Sequence, residues 1–127
     1  MKNKYKTGGN TDSQLDILIN GLLKQPSYSK YKKDDVYKLL NNIALVESNN
    51  QNIKQAPTGP GRGYFQMEAN TYPTAKQRLL NINDELKLNL NTDFLNNVKD
   101  NDVLSLNRDQ QSMLALINMH KAARAKN

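Results

Sequence analysis

Residues 34–48, DDVYKLLNNIALVES, carry the clearest helical pattern in the chain and decide its fold. Asp34 or Asp35 suits the N-terminus of a helix. Apolar residues then recur on one stripe at helical spacing, namely Val36, Leu39, Leu40, Ile43 and Val46. Glu47 comes eleven residues after Val36, which at about 100° per residue brings it within about 20° of the same direction. We therefore expect Glu47 on the buried or cleft-facing side of the last turn.

The polar stretch after this helix predicts a loop. Residues 48–63 hold Asn, Pro and Gly at a density that neither a helix nor a central strand tolerates. The next five residues, GYFQM at 63–67, favour a short strand or extended segment. Thr71 is suited to the N-cap of another helix, with Pro73 in its first turn and the helix continuing through Leu80.

The two ends of the chain give further expectations. Residues 1–10 are polar and basic with a Gly pair, which is typical of a flexible arm. Asp12 or Ser13 can cap a first helix that ends before Pro26. Residues 83–101 predict two short helices, the second capped by Thr92. The last helix begins near residues 107–110, where Asn and Gln form a capping signature, and carries Met113, Leu114 and Ile117.

Together these elements predict one mainly α domain over residues 11–127, with one small β-hairpin or extended segment. The length of 127 residues supports a single core. The chain has no cysteine and one histidine, which excludes a disulfide framework, a thiol nucleophile and a multi-histidine metal site. We expect neither a metal nor a cofactor.

The charge and the N-terminal sequence bear on partners and location. Eighteen Lys and Arg residues against twelve Asp and Glu give a formal charge of +6, which favours polyanions such as nucleic acid, anionic lipid or bacterial wall polymers. No apolar run reaches the roughly 18 residues of a membrane span, and the N-terminus lacks the apolar core of a secretory signal. We expect a protein made in a cytoplasm, which something other than a signal peptide carries elsewhere.

Glu47 has two interpretations from its position alone. Desolvation and the negative end of the helix dipole both favour the protonated form of such a carboxyl, and a general acid needs that proton near neutral pH. The same position also suits a glutamate that pairs with a lysine or caps loop amides. Helical spacing leaves both interpretations open.

The residues after Glu47 favour catalysis because of their order. Glu47-Ser48 is followed by a polar loop as far as Arg62, then by Gly63-Tyr64-Phe65-Gln66, and Thr71 stands five residues after the glutamine. This order resembles the lysozyme-like superfamily, in particular soluble lytic transglycosylases and goose-type lysozymes. Their signature is a catalytic Glu-Ser at a helix end, a polar loop, a Gly-apolar-apolar-Gln segment and that threonine. The resemblance covers residues 34–80, and GPGRGYFQ is also similar to small muralytic proteins of bacteriophages.

The resemblance implies a lysozyme-like α+β fold with helices around a cleft, and glycan strands of peptidoglycan as the substrate. Glu47 would protonate the oxygen of the β-1,4 bond between N-acetylmuramic acid and N-acetylglucosamine, then remove a proton from the nucleophile. That nucleophile is the 6-hydroxyl of the sugar in a transglycosylase and water in a lysozyme. Glu68 is the candidate second carboxylate, since goose-type lysozymes carry an Asp two residues after the corresponding Gln. The choice between the two reactions stays open.

By the same resemblance, other residues of the signature would contact the substrate; they are Ser48, Gly63, Tyr64, Phe65, Gln66 and Thr71. Each also has a plainer interpretation, such as a turn glycine, a core aromatic or, for Glu68, a solvated charge. The later Ala-x-Tyr-Asn-x-Gly motif of transglycosylases is only partly present: residues 116–120, LINMH, keep Asn118 and lose the Tyr and Gly. By the resemblance, Asn118 is a further candidate for contact with the substrate. His120 stands beside Lys121 and is expected at the surface.

The resemblance implies a peptidoglycan-degrading enzyme that serves phage entry or release, and two alternatives to this interpretation stay open. The first is a lysozyme-like structural protein of a virion with weak or no activity, bound to other virion proteins. The second is a small nucleic-acid-binding protein that uses the basic arm, Arg62 and the tail HKAARAKN at 120–127 in nonspecific contacts.

Overall fold

The computed structural model describes residues 13–126, with side chains up to residue 120. Four α-helices span Gln14–Leu23 (α1), Lys33–Ser48 (α2), Tyr72–Leu86 (α3) and Arg108–Lys126 (α4). Short 3-10 helices occur at Pro26–Tyr28, Asp93–Asn97, Lys99–Asn101 and Val103–Ser105. The chain is therefore mainly α, as the sequence predicted. The basic arm and Asp12 lie outside the described residues.

Helix α4 is the centre of the packing. It packs against α3 and α1, while α2 packs against α1. The most deeply buried apolar side chains come from all four helices and from the connection between α3 and α4; they are Leu15, Leu18, Ile19, Leu40, Leu79, Leu95, Val103, Met113, Leu114 and Ile117. Burial of this apolar surface is the main term that stabilises the fold.

The buried face of α2 differs from the predicted stripe. The buried residues are Tyr37, Leu40, Ala44 and Ser48, whereas Leu39 is 48% exposed and Val46 is 81% exposed. Because α1 is the helix against which α2 packs, the buried side of α2 is turned toward Tyr37 and Ala44. Of the predicted stripe, Leu40 is buried, Val36 and Ile43 are half-buried, and Leu39 and Val46 are exposed. The expectation of a buried Glu47 was wrong, since that side chain is exposed.

A buried carboxylate joins α1 to α2. Asp16 is 1% exposed and accepts the hydroxyl of Tyr37 at 2.8 Å and the ammonium of Lys33 at 3.2 Å. Burial, followed by the hydrogen bond to Asp16, raises the pKa of Tyr37 well above its ordinary value. This paired carboxylate fixes the start of α2 on α1.

Several predicted helix ends are confirmed. Ser13 caps α1 by accepting the N–H of Asp16 at 3.0 Å. Asn107 and Gln110 cap α4 reciprocally: each side-chain oxygen accepts the backbone N–H of the other residue, at 2.8 and 3.0 Å. Thr71 precedes α3 as predicted, but makes no capping bond with its side chain.

The remaining sequence predictions were met only in part. Helix α3 continues to Leu86, so residues 83–86 complete it instead of starting a new helix. Thr92 does precede a short helix, a 3-10 helix, but without a side-chain cap. The expected β element is reduced to two isolated antiparallel bridges, Lys54 to Arg62 and Arg62 to Met67. Residues 63–66 between them form a turn and not the predicted strand.

Candidate functional site

Glu47 lies in the last turn of α2, and its side chain is exposed while that of the adjacent Ser48 is buried. Leu40 is seven residues earlier and only about 20° away around the helix, and it is 0% exposed. Glu47 is exposed. The direction that points into the core at Leu40 therefore points to open surface at Glu47. The cleft-facing orientation of Glu47 stays a prediction.

Ser48 fixes the helix end that carries Glu47. It is 5% exposed, and its hydroxyl lies 2.8 Å from the carbonyl oxygen of Tyr64 and 3.0 Å from that of Ala44. The same oxygen accepts the N–H of Gln51 at 3.0 Å. The hydroxyl is engaged within the protein, and it ties the end of α2 to the turn at residues 63–66.

Gln111 of α4 supports that turn from the other side. It is 3% exposed, and its amide oxygen accepts the N–H of Tyr64 at 2.9 Å. Its amide nitrogen donates to the side-chain oxygen of Asn52 at 3.0 Å and to the carbonyl of Leu106 at 2.9 Å. A buried polar group that loses its hydrogen bonds is costly. The three hydrogen bonds of the Gln111 side chain therefore hold the loop to α4.

The turn itself depends on a glycine and a glutamine. Gly63 has φ of +79°, and a Cβ there would collide with the amide oxygen of Gln111. The sequence predicted Gly63 as a substrate contact or a turn glycine, and the structure shows a turn glycine that is closely approached by a protein side chain. Gln66 donates from its amide to the carbonyl of Gly63 at 2.7 Å and to that of Ile53 at 3.0 Å. Its NH₂ group stabilises the loop instead of facing outward.

The two aromatics of the turn have different surroundings. Phe65 is half-buried and packs against the core. Tyr64 is also half-buried, and the guanidinium of Arg108 lies 5.7 Å from its ring centroid. Arg108 also donates to Asn50 at 3.0 Å and to Asn41 at 3.1 Å. This polar cluster connects α2, the loop and the start of α4.

The other predicted site residues, Glu68, Thr71 and Asn118, make no described hydrogen bond to the end of α2. Glu68 is exposed and Thr71 is half-buried, with the threonine hydroxyl 3.4 Å from the side chain of Asn70. Asn118 is half-buried on α4, about 10 Å along the axis beyond Gln111. Among the described hydrogen bonds, none joins Asn118 to residues 47–71.

His120 is not the surface residue that the sequence predicted. It is 9% exposed, and its Nδ1 lies 2.6 Å from the hydroxyl of Tyr28, with the two rings 5.5 Å apart. The adjacent Lys121 suggested exposure, but His120 follows the buried Leu116 and Ile117 by four and three residues and therefore lies on their inward face.

Arg62, which one alternative assigned to nucleic acid, is engaged within the loop. Its guanidinium donates to the carbonyls of Gly59 and Gly61 at 2.8 and 2.9 Å. It also lies 3.9 Å from the carboxylate of Asp102. The lysines and arginine of the tail after His120 lie outside the described side chains.

Two well-defined cavities of the described region are lined neither by Glu47 nor by residues 63–71. One of about 310 Å³ lies between the ends of α1 and α4 and the start of α2. The other, of about 240 Å³, lies beside the N-terminus of α4. The described residues contain no cluster of three His, Asp or Glu side chains able to hold a metal ion. No described helix combines the length and apolarity that crossing a bilayer requires.

Sequence reasoning missed the supporting residues of this site. Asn52 lies in the polar loop, and Arg108 and Gln111 stand beside the capping pair Asn107 and Gln110, but no pattern marks any of the three as a support for the turn. The spacing of a helix can indicate that position 111 faces inward, but not that it meets a loop 47 residues earlier in the chain.

Comparison of the chain with protein-family models, with curated proteins and with solved structures gave no match. The resemblance to lytic transglycosylases and goose-type lysozymes therefore rests on the motif residues, Glu47-Ser48, Gly63 to Gln66 and Thr71.

Proposed function

We propose that this protein cleaves peptidoglycan glycan strands at the β-1,4 bond between N-acetylmuramic acid and N-acetylglucosamine, with Glu47 as general acid and base. The observation that carries the proposal is the placement of Glu47. Glu47 points in nearly the same direction around α2 as the buried Leu40, but its own side chain is exposed. It directly precedes Ser48, whose hydroxyl lies 2.8 Å from the carbonyl of Tyr64. A carboxyl on an immobilised helix end is what proton transfer to a bound substrate requires.

The chemistry follows from one carboxyl group acting twice. Glu47 donates its proton to the glycosidic oxygen as the bond to the leaving sugar breaks. The resulting carboxylate then accepts a proton from the attacking hydroxyl. If the attacker is the 6-hydroxyl of the same muramic acid, the product carries a 1,6-anhydro ring. If it is water, Glu68 is the candidate second carboxylate, and it is exposed and open to substrate.

Two further observations support the proposal. The interactions of Ser48, Gln66 and Gln111 make the turn at residues 63–66 a defined structure beside Glu47. The guanidinium of Arg62 is occupied by loop carbonyls, which disfavours its use in binding nucleic acid. Delivery to the wall as a component of a phage virion is part of the same proposal and rests on the resemblance alone.

The test is digestion of purified peptidoglycan, with mass spectrometry of the released muropeptides. We expect Glu47→Gln to lower release by about 100-fold or more, the range of general acid catalysis. Glu85→Gln is the matched control, because Glu85 is another exposed glutamate on a helix, α3. Anhydro ends identify a transglycosylase, and reducing ends that disappear in Glu68→Gln identify a hydrolase.

The competing interpretations predict different results. A structural virion protein releases no muropeptides from either wild type or Glu85→Gln. If Glu47→Gln and Glu85→Gln both release fragments at the wild-type rate, Glu47 is not the acid. Circular dichroism of each variant verifies that any loss of activity does not come from unfolding.

A further inference from the structure

The cavity of about 310 Å³ is an apolar recess at the opposite end of α2 from Glu47. Its walls include Leu23 of α1, Val36 and Leu39 of α2, and Met119 of α4. Leu39 is eight residues before Glu47, so the recess lies about 12 Å away along the helix axis. Its volume is at the lower end of the ~300–1,000 Å³ range of ligand-binding pockets.

Exposed apolar side chains surround the mouth of this recess. Tyr31 and Leu39 both line it and are each 48% exposed. Exposed apolar side chains beside an apolar recess are of the kind that marks an interaction site in soluble domains.

The mouth is also cationic. Lys24, Lys30 and Lys32 are exposed and adjoin lining residues in the chain, and the ammonium of Lys30 lies 5.3 Å from the ring centroid of Tyr31. Asp35 is the acidic residue of the lining, and its carboxylate accepts the backbone N–H of Lys32 at 2.9 Å as part of the helix cap. Lys24, Lys30 and Lys32 outnumber the carboxylates of Asp35 and of the adjoining, exposed Asp34. This excess of positive charge favours an anionic partner and opposes pairing with a second copy of the same mouth.

We propose that this mouth docks on the surface of an anionic lipid bilayer. An acyl chain enters the recess, Tyr31 and Leu39 lie at the boundary between headgroups and acyl chains, and the lysines contact headgroup phosphates. A bilayer fits better than a single free lipid, because the exposed parts of Tyr31 and Leu39 lie outside the recess and need an apolar phase of their own. Docking in this way is peripheral and leaves the Glu47 end of α2 directed away from the recess.

The experiment is sedimentation of the full chain with large vesicles, made either of phosphatidylglycerol and phosphatidylcholine in equal amounts or of phosphatidylcholine alone. We expect binding to the anionic vesicles and little binding to the neutral ones. Replacing Lys30 and Lys32 by glutamine should weaken binding by about five-fold for each lysine. Leu39→Asn should weaken it by about five-fold or more, since it removes apolar contact with the acyl region.

Leu45→Asn is the matched control for Leu39→Asn. Leu45 is the same residue type on the same helix and is 57% exposed, but it lies about 120° away around α2. Full binding by Leu39→Asn would overturn the proposal, because the net charge alone would then explain the binding. Equal losses in the two variants would also overturn it, because the apolar contact would then not be specific to the recess. Absence of binding to anionic vesicles would also overturn it, as would self-association that Leu39→Asn abolishes.

Both leucines are about half exposed, so their replacement should leave the core intact, and thermal unfolding verifies this. Should Leu39→Asn unfold, Tyr31→Ser tests the same mouth from outside the helix. None of these measurements depends on glycan cleavage, so this proposal and the proposed function can fail separately.

Discussion

Ser48→Ala tests whether the helix end that carries Glu47 is held by tertiary hydrogen bonds. The substitution removes the bond to the carbonyl of Tyr64 and the bond accepted from the N–H of Gln51. Each such bond contributes about 1 kcal/mol net, and a buried group left unpaired costs about 1–3 kcal/mol. We therefore expect Ser48→Ala to lower the free energy of unfolding by about 2 kcal/mol.

Ser112→Ala supplies a matched control within the same fold. Ser112 is also a buried serine in a helix, 0% exposed, and its hydroxyl donates to the carbonyl of Arg108 four residues earlier at 2.7 Å. Ser48 makes the equivalent contact with Ala44 at 3.0 Å, so the two substitutions differ mainly in the bonds to Tyr64 and Gln51. Because a bond within a helix turn competes with the helix itself, Ser112→Ala should cost about 0.5 kcal/mol or less.

The assay is urea unfolding of both variants and wild type, followed by far-ultraviolet circular dichroism. A decrease in the midpoint with an unchanged slope identifies a change in stability. Equal losses in the two variants would refute the reasoning, since the contacts of Ser48 with the loop would then contribute nothing. In that case Glu47 would lack the anchored position on which its proposed role depends.

Three further results are expected. Gly63→Ala should destabilise the fold by about 3 kcal/mol, since it combines positive φ with a collision against Gln111; a urea midpoint equal to that of wild type would contradict this. Burial raises the pKa of Asp109, and the positive charge of Arg108 offsets part of this rise. The protonated Asp109 therefore stabilises the fold below the unfolded pKa of about 3.9, and this stabilisation is lost as the pH rises through the folded pKa. Asp109→Asn should thus raise the free energy of unfolding more at neutral than at acidic pH. A difference between the variant and wild type that is the same at both pH values would contradict this prediction. Burial and the hydrogen bond to Asp16 raise the pKa of Tyr37, so the stability of the fold should fall above about pH 10, where the tyrosine of the unfolded chain ionises. In an absorbance titration the phenolate of Tyr37 should appear only as the protein unfolds. Ionisation of every tyrosine before unfolding would contradict this.

Local chemistry made several elements of this fold predictable. The caps at Ser13 and at Asn107 with Gln110 formed as the sequence indicated. Such caps depend on side chains three residues apart satisfying free backbone groups, so they require no knowledge of the rest of the molecule. The loop after α2 was predictable for a similar reason, because its Asn, Pro and Gly residues exclude regular structure.

The motif order was equally a property of the sequence. Glu47-Ser48, the turn at residues 63–66 and Thr71 could be named as a candidate site before any packing was known. The interactions of these residues could not be predicted in the same way. Ser48 and Gln66 both turned out to bond backbone carbonyls of the loop, so their first role is to hold the turn in place.

The tertiary structure decided which apolar stripe of α2 is buried. Helical periodicity is satisfied equally well by the predicted stripe, Val36, Leu39, Leu40, Ile43 and Val46, and by a second set, Tyr37, Leu40, Ala44 and Ser48. Only the position of α1 selects the second set. Periodicity gives the direction of each side chain around its own helix, whereas burial depends on where another helix lies.

The same reason explains Gln111 and His120. Each meets its partner across a long separation in the chain, at Tyr64 and Tyr28 respectively, and no local pattern records such a pairing. The sequence by itself thus determined the helices, their caps and the chemical identity of the candidate acid. Packing determined that Glu47 is exposed, that a buried serine and a buried glutamine hold the adjacent turn, and that an apolar recess remains open at the other end of α2.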